Sequence, residues 1–213
     1  MRINKSTDRL TLRQTLFILF IFTAHLCALQ YEHEDNLFLQ AKTHFYQKDY
    51  QKAIEVYQKI IADYPTSHYL ADATYWLAYS YEKNNQIKEA IKTFAKVVND
   101  YPDSRWAAEA GMRVSMIAGH LVRSGEKEYE KYLLKGLENS NPNTRLRTLF
   151  ELAAIGTPQV FPHVKKYFDA ETNIITRIQI LMAIEESGST HALPVLEDII
   201  KHDRDPLIRI QAL

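Results

Sequence analysis

Cysteine and glycine are both scarce in this chain. Cys27 is the only cysteine among 213 residues, so no disulfide can form within the chain. Only six glycines occur, and no valine- or threonine-rich segment alternates apolar with polar residues as a half-buried strand does. Few glycines and no strand pattern favour an all-α fold.

The sequence also lacks the motifs that usually carry chemistry. It contains no HExxH or CxxC metal motif and no glycine-rich phosphate loop. The eight histidines are scattered. His33 has three acidic neighbours, but surface solvation explains that group better than a zinc site. We therefore predict that the chain is not an enzyme and uses no metal and no cofactor.

Neither sign of charge is in excess. Lysine and arginine together number 26, as do aspartate and glutamate. Residues 1–29 hold four of the basic residues and one of the acidic ones, so the remainder carries a net charge of −3. A near-neutral body lacks the positive surface of a nucleic-acid-binding protein. We expect a protein or peptide partner, with no nucleic acid and no small-molecule substrate.

Residues 1–29 have the order of a secretory signal. Four basic residues precede an apolar run from Thr15 to Leu29. This run of about 15 residues is shorter than the roughly 20 that a bilayer crossing needs. The segment is predicted to be a signal peptide or a signal anchor, followed by a spacer at residues 30–36. The rest of the chain is then secreted across the inner membrane and is periplasmic or membrane-attached.

Three fates of the signal segment stay open. Cleavage after Ala28 would release the body, although Leu26 fills a site that prefers a small residue. Acylation of Cys27 would make a bacterial lipoprotein, but a lipobox also wants a small residue where Leu26 stands, which favours an incidental cysteine. An uncleaved segment would anchor the chain in the membrane.

Residues 37–104 repeat with a period of 37. An alanine, an aromatic residue and a proline recur at this spacing: Ala53, Tyr57 and Pro65 return as Ala90, Phe94 and Pro102. Such a period is typical of stacked helical pairs, and the proline marks the end of each second helix. The pattern predicts first helices at about residues 37–47 and 71–83, each followed by an amphipathic helix.

These alanine, aromatic and proline positions resemble those of tetratricopeptide repeats. The period and the recurring Asp-Tyr-Pro segment resemble the envelope tetratricopeptide proteins of bacteria, such as the Tol-Pal accessory protein and the lipoprotein of the outer-membrane β-barrel assembly machine. Gln40 and His44 depart from the family, which prefers leucine and tyrosine there. The resemblance implies a protein-binding scaffold with a role in envelope or outer-membrane assembly.

In that family, the first helices line a groove that takes extended or helical peptides. By resemblance, the groove residues lie four on each of two helices: Asp35, Phe38, Lys42 and Phe45, then Asp72, Tyr75, Tyr79 and Glu82. The aromatic groups offer apolar contact area, and the charges can set the register of a peptide. Packing of the same aromatic groups against the next helix is the alternative, and both interpretations stay open.

Residues 141–213 repeat with a different period, 32. Each unit has a helix-capping residue and an arginine four positions later: Asn141 and Arg145, Asn173 and Arg177, Asp205 and Arg209. Asparagine and aspartate side chains accept hydrogen bonds from the free N–H groups of a first turn. Gly156 and Gly188 fall where the first helix of each unit must end. The last unit is incomplete.

An Asp/Asn-x-x-x-Arg unit of this length resembles the short HEAT-like repeats of phycocyanobilin lyases and of many bacterial scaffold proteins. The resemblance implies that the arginines tie neighbouring repeats together through the capping loop rather than form an anion-binding ladder. Lyase activity is not implied, because many proteins that are not enzymes share the repeat.

Residues 105–140 fit neither period. Arg113 lies 32 residues before Arg145, but Glu109 stands where a cap is expected, so we predict a degenerate, transitional helical pair. No linker rich in glycine, serine or proline separates the blocks. We therefore expect one right-handed α-solenoid of stacked helical hairpins.

Two functions follow from this organisation. The first is a non-enzymatic scaffold of the bacterial cell envelope, in which the groove binds a partner and the HEAT-like half extends the platform. The second is the N-terminal adaptor region of a larger membrane-associated protein, whether or not that protein is an enzyme. The apolar helix that opens at Pro206 and stops at Leu213 motivates the second.

Overall fold

The computed structural model describes residues 19–20 and 33–213. Every regular element within these residues is helical, so the predicted all-α repeat fold is confirmed. Cys27 and nearly all of the predicted signal segment lie outside the described residues. No helix among the described residues is long and apolar enough to span a membrane. The chain divides into two compact units, Met1–Ser80 and Tyr81–Leu213.

The first unit contains helices α1 (33–46), α2 (Tyr50–Asp63) and most of α3 (Leu70–Lys83). Helix α1 already includes residues 33–36, which the sequence pattern assigned to a spacer. Asp49 begins α2 by accepting a hydrogen bond from the Lys52 backbone N–H at 3.4 Å. Each of the three helices has fully buried alanines, which occupy little space in the core of the unit: Ala41, Ala53, Ala73 and Ala78.

The second unit holds the remaining helices: α4 (Ile87–Asp100), α5 (Ala107–Arg123), α6 (Glu130–Leu137), α7 (Pro142–Ile155), α8 (Phe161–Ala170), α9 (Ile174–Glu186), α10 (Leu193–His202) and α11 (Pro206–Gln211). The predicted transitional pair is therefore the hairpin of α5 and α6. Helix α5 packs against α4, α6 and α7, and α7 packs in turn against α9. The core between them is apolar and fully buried: Phe94, Leu133, Leu152, Phe168, Leu181 and Ile184.

The predicted caps of the 32-residue units are confirmed. Asn141 accepts hydrogen bonds from the two N–H groups of Asn143 and Thr144, and Asn173 does the same one repeat later. Asp205 caps α11 through the N–H of Leu207. Each cap satisfies donors that a helix start otherwise leaves unpaired, so the cap fixes where the first helix of each unit begins.

The three repeated arginines divide into two kinds. Arg177 is buried, stacks 4.5 Å from the centre of the Phe168 ring and forms an ion pair with Asp203, in the loop that begins the next repeat. This contact ties two repeats together, as predicted. Arg145 and Arg209 instead donate to backbone carbonyls of the loop before their own helix. These carbonyls belong to the loop that joins each helix to the preceding repeat, so these two arginines act through the capping loop, as the resemblance implied.

The α5–α7 interface is formed by small and polar residues. Gly111, Ser115 and Gly119 follow one another at four-residue spacing, which places them on one face of α5. Ser115 Oγ and Thr148 Oγ1 of α7 are hydrogen bonded at 2.7 Å, and both hydroxyls are buried. A Cβ atom at Gly111 would lie only 2.8 Å from the side chain of Thr144. The two helices therefore touch closely enough to leave no room for larger side chains.

Glu151 of α7 completes this interface. Its residue exposure is 4%, and its two carboxylate oxygens accept from Arg123 Nη1, at 2.8 Å, and from Arg147 Nη2. A Cβ atom at Gly119 would lie 2.8 Å from the Glu151 Cδ and closer still to an oxygen. The glycine thus makes room for a buried carboxylate, which needs both guanidinium groups to offset its lost hydration.

We predict that Gly119→Ala destabilises the protein by about 2–3 kcal/mol, because the added methyl displaces Glu151 from its arginines. The sign of this change tests the packing, because a glycine-to-alanine substitution inside an unconstrained helix stabilises the protein by about 1 kcal/mol. Chemical denaturation measures the free energy of unfolding. His120→Ala, at the next and exposed position, is the matched control and should change it by less than about 0.5 kcal/mol. A stabilised Gly119→Ala variant would contradict the described packing.

Candidate peptide-binding surface

Three of the predicted groove residues meet in the first unit, around a tryptophan that the prediction did not include. Phe38 and Lys42 lie on α1, and Trp76 and Tyr79 lie on α3; all four are partly exposed. Tyr46, at the end of α1, joins them and is 66% exposed. We call these five residues the aromatic surface.

Lys42 lies at the centre of the aromatic surface. Its Nζ is 5.1 Å from the ring centre of Trp76, 5.8 Å from that of Phe38 and 6.0 Å from that of Tyr46. These distances are within the range of cation–π attraction. Within the part of the chain that the structure describes, this ammonium group forms no ion pair. The aromatic surface therefore carries a positive charge held against ring faces.

Two other predicted groove residues are buried beneath the aromatic surface. Phe45 is 9% exposed, and its ring centre is 5.0 Å from that of Trp76 and 5.3 Å from that of Tyr79. Tyr75 is 4% exposed, and its ring centre is 6.3 Å from that of Tyr79. Burial leaves these two rings to hold the exposed rings in place, which is the packing alternative that the sequence left open.

The predicted acidic residues lie apart from Lys42. Asp35 is exposed and accepts a hydrogen bond of 2.7 Å from the hydroxyl of Tyr69, which raises the pKa of that hydroxyl. The ring of Tyr69 stacks on Phe38 with centres 4.4 Å apart. Asp72 is partly exposed on α3. The aromatic surface thus has a positive centre and a negative group at the Asp35 end of α1.

Glu82, the eighth predicted residue, belongs to the second unit. Its carboxylate accepts from Arg113 Nη1 at 3.1 Å, while Arg113 Nε donates to Glu109 at the same distance. Arg113 thus pairs with the residue that replaces a helix cap, and with Glu82. The ion pair with Arg113 gives Glu82 a structural role, and a role of Glu82 in peptide binding stays a prediction.

The sequence contained a signal for the residues that the prediction missed. Trp76 follows Asp72 by four positions and precedes Tyr79 by three, so it lies on the same face of α3 as both. Tyr46 has the same relation to Lys42 on α1. Tyr69 lies before the first turn of α3, where helical periodicity does not apply, so its stacking on Phe38 required the structure.

Tyr57 of α2 packs against the inner side of Phe38. The two rings meet edge to face with centres 5.9 Å apart, and Tyr57 is fully buried. Its hydroxyl has no hydrogen-bond partner among the described residues. Burial raises the pKa of this hydroxyl above its ordinary value, with smaller contributions from Tyr46 and Asp72. An apolar ring at this position would serve the packing equally well.

The aromatic surface offers groups that bind a ligand rather than groups that make or break covalent bonds. Partly exposed rings offer contact area to apolar side chains, and Lys42 offers a charge-assisted hydrogen bond to an acceptor. Among the residues that the structure describes, no three histidine, cysteine or acidic side chains are grouped as metal ligands. Glu32, a neighbour of His33, lies outside that range.

Two family models match parts of the chain. Residues 44–110 match a model of the tetratricopeptide repeat, and residues 130–213 match a model of HEAT repeats. The order of the two repeat kinds is the one that the two periods predict, and the second match already includes α6. The chain is thus a helical-repeat protein with the architecture of a protein–protein interaction scaffold. No curated protein matches it.

We predict that Tyr57→Phe stabilises the protein by about 1 kcal/mol at neutral pH, because it removes a buried hydroxyl without a partner. The advantage should grow above about pH 10, where an unfolded tyrosine ionises. The pKa of the Tyr57 hydroxyl is higher in the folded protein than in the unfolded chain. The stability that this difference contributes is fully present below the unfolded pKa, and it is lost as the pH rises from the unfolded pKa through the folded pKa. Unfolding titrations at pH 7 and pH 11 measure both effects. Tyr46→Phe, at an exposed ring, should change neither value by more than about 0.5 kcal/mol; a destabilised Tyr57→Phe would reveal a hydrogen bond.

Proposed function

We propose that this chain is a non-enzymatic protein–protein interaction scaffold of the bacterial cell envelope, and that the aromatic surface of α1 and α3 binds a peptide segment of its partner. The observation that carries the proposal is the convergence of Phe38, Lys42 and Tyr79 with Trp76 into one partly exposed cluster. The match to the tetratricopeptide repeat supports it.

The physical properties of the aromatic surface favour a peptide. Aromatic side chains have few rotatable bonds, so they bury area on binding at low entropic cost. Phe38 and Tyr79 are already fixed by Tyr69 and Phe45, which lowers that cost further.

The charges of α1 give the proposed peptide a direction. Asp35 and Lys42 are seven residues apart, or about 10 Å along a helix. This is the length of about three residues of an extended chain. A peptide with an acidic and a basic side chain at that separation would therefore bind in one orientation.

The envelope location rests on the N-terminal sequence. A basic segment followed by an apolar run of about 15 residues is the pattern of an export signal. Exported partners of the scaffold would then include envelope proteins, and a role in envelope or outer-membrane assembly fits this location.

We predict that Phe38→Ala combined with Tyr79→Ala removes the partner from a pull-down of solubilised membranes. Loss of two aromatic contacts at the centre of a binding surface should weaken binding by about 30-fold or more. Mass spectrometry of the captured proteins compares the variant with the natural chain. Tyr167→Ala, on α8 of the second unit, removes an equivalent ring and should leave the captured set unchanged. With melting temperatures of both variants within a few degrees, an unchanged set for the double variant excludes the aromatic surface as the binding site.

We predict that the chain expressed in a Gram-negative host leaves the cytoplasm. The intact mass of the purified protein separates the three fates of the signal segment. It corresponds to a chain that begins at Leu29, to one that begins at an acylated Cys27, or to the whole sequence in the membrane fraction. Unmodified full-length protein in the soluble cytoplasmic fraction would contradict the envelope location.

A further inference from the structure

The second unit contains an open cavity between α4 and α6. Its volume is about 360 Å³, and residues of α4, α5, α6 and α7 line it. Both α4 and α6 pack against α5, and Lys135 Nζ of α6 donates a hydrogen bond of 2.6 Å to Asn99 Oδ1 of α4. All of the lining residues belong to one unit of the chain, so the cavity lies within a single packed group of helices.

Two glycines form part of the cavity wall. Gly111 of α5 and Gly136 of α6 both line the cavity. A Cβ atom at Gly111 would lie 2.8 Å from the side chain of Thr144, and one at Gly136 would lie 2.5 Å from Thr148 Oγ1. The close approach of α7 therefore excludes a side chain at both positions, and the cavity wall there is bare helix backbone.

The rest of the lining combines an apolar part with two opposite charges. Ala95, Val98 and Val114 form the apolar part. Lys135 and Glu138 are the two charged residues of the lining, and both are exposed. Neither forms an ion pair with another residue that the structure describes. Because the two charges cancel, the cavity favours a ligand without net charge.

The size of the cavity favours a ligand with more than one ring. An apolar cavity of about 150 Å³ holds one benzene molecule, and this cavity has more than twice that volume. An aliphatic side chain would leave the ammonium group of Lys135 and the carboxylate of Glu138 without a partner. A flat pair of fused rings can lie against the bare backbone at the two glycines.

We propose that this cavity binds the indole ring of a tryptophan side chain from a partner protein. Lys135 Nζ retains two N–H donors beyond its bond to Asn99, and its charge attracts the face of the ring. The Glu138 carboxylate accepts the indole N–H. Indole is the aromatic group that attracts a cation most strongly, and its N–H usually finds an acceptor when it is buried.

Other aromatic side chains match the lining less well. A phenylalanine ring has no donor for Glu138, and a tyrosine ring has a donor but only one ring to fill the cavity. This site lies in the second unit and the aromatic surface lies in the first, so neither proposal depends on the other.

The test uses the full chain with ¹³C-labelled valine methyl groups and follows Val98 and Val114 by NMR. N-acetyltryptophanamide should shift both signals and bind about 10-fold more tightly than the amide of N-acetyl-1-naphthylalanine, which has two fused rings but no N–H. Equal or tighter binding of the naphthyl compound, of N-acetyltyrosinamide or of N-acetylleucinamide overturns the chemistry assigned to the ligand. Unchanged valine signals overturn the site. Tighter binding of free tryptophan than of N-acetyltryptophanamide overturns its assignment to a residue within a protein.

Two variants locate the binding. Ala95 is partly exposed and lines the cavity, so Ala95→Leu fills space and should weaken binding of N-acetyltryptophanamide by about 10-fold. The matched control is Ala170→Leu at the exposed end of α8, which should leave binding unchanged. A folded Ala95→Leu protein that binds as tightly as the natural chain does would contradict the site.

Glu138→Met removes the proposed acceptor at an exposed position. The preference for the indole over the naphthyl compound should disappear in this variant, while binding of the naphthyl compound stays within about twofold. A merely structural role of Glu138 would weaken both compounds alike. A preference of unchanged size would overturn the role assigned to the carboxylate.

Discussion

The buried carboxylate of Glu151 is the contact on which the packing of the second unit depends most. A buried charge costs several kcal/mol unless partners replace its hydration, so this residue fixes both guanidinium groups around it. Arg123 comes from α5 and Arg147 from α7. The carboxylate fits only because Gly119 has no side chain. One ion cluster therefore fixes the distance between α5, most of which lies between the two matched stretches of sequence, and α7, which lies within the HEAT match.

Polar contacts in this interface specify register as well as distance. If α5 slid along α7 by one turn, Ser115 would lose Thr148, and Glu151 would meet a larger side chain than glycine. Each hydroxyl would keep only its bond to a carbonyl of its own helix, Gly111 for Ser115 and Thr144 for Thr148, while the Glu151 carboxylate would lose the space that holds it. Apolar contacts discriminate less between registers. This explains why hydroxyls and a carboxylate, rather than leucines, lie in the interface of α5 and α7.

The sequence predicted the helices and their caps well because these depend on local patterns. Asn141 and Asn173 cap helices through their own neighbours, and the 37- and 32-residue periods repeat one packing unit. Contacts between residues that are distant in the sequence were harder to predict. Gly111, Ser115 and Gly119 have a regular spacing, but their meaning depends on Thr144, Thr148 and Glu151, more than 30 residues away. In the candidate site, the same limit applies: the sequence placed Phe38 and Phe45 on one face but could not show which of them is buried.

Burial separates a structural cation of this chain, Arg177, from one that is available to a ligand, Lys42. Arg177 stacks on Phe168, pairs with Asp203 and is enclosed, so its donors serve the contact between two repeats. Lys42 also lies against aromatic rings, but it is partly exposed and has no acidic partner among the described residues. The difference does not lie in the type of residue, because each cation faces an aromatic ring. The difference between the two lies in whether the fold supplies the counter-ion. Because the fold supplies none to Lys42, the carboxylate of a partner can form the ion pair there.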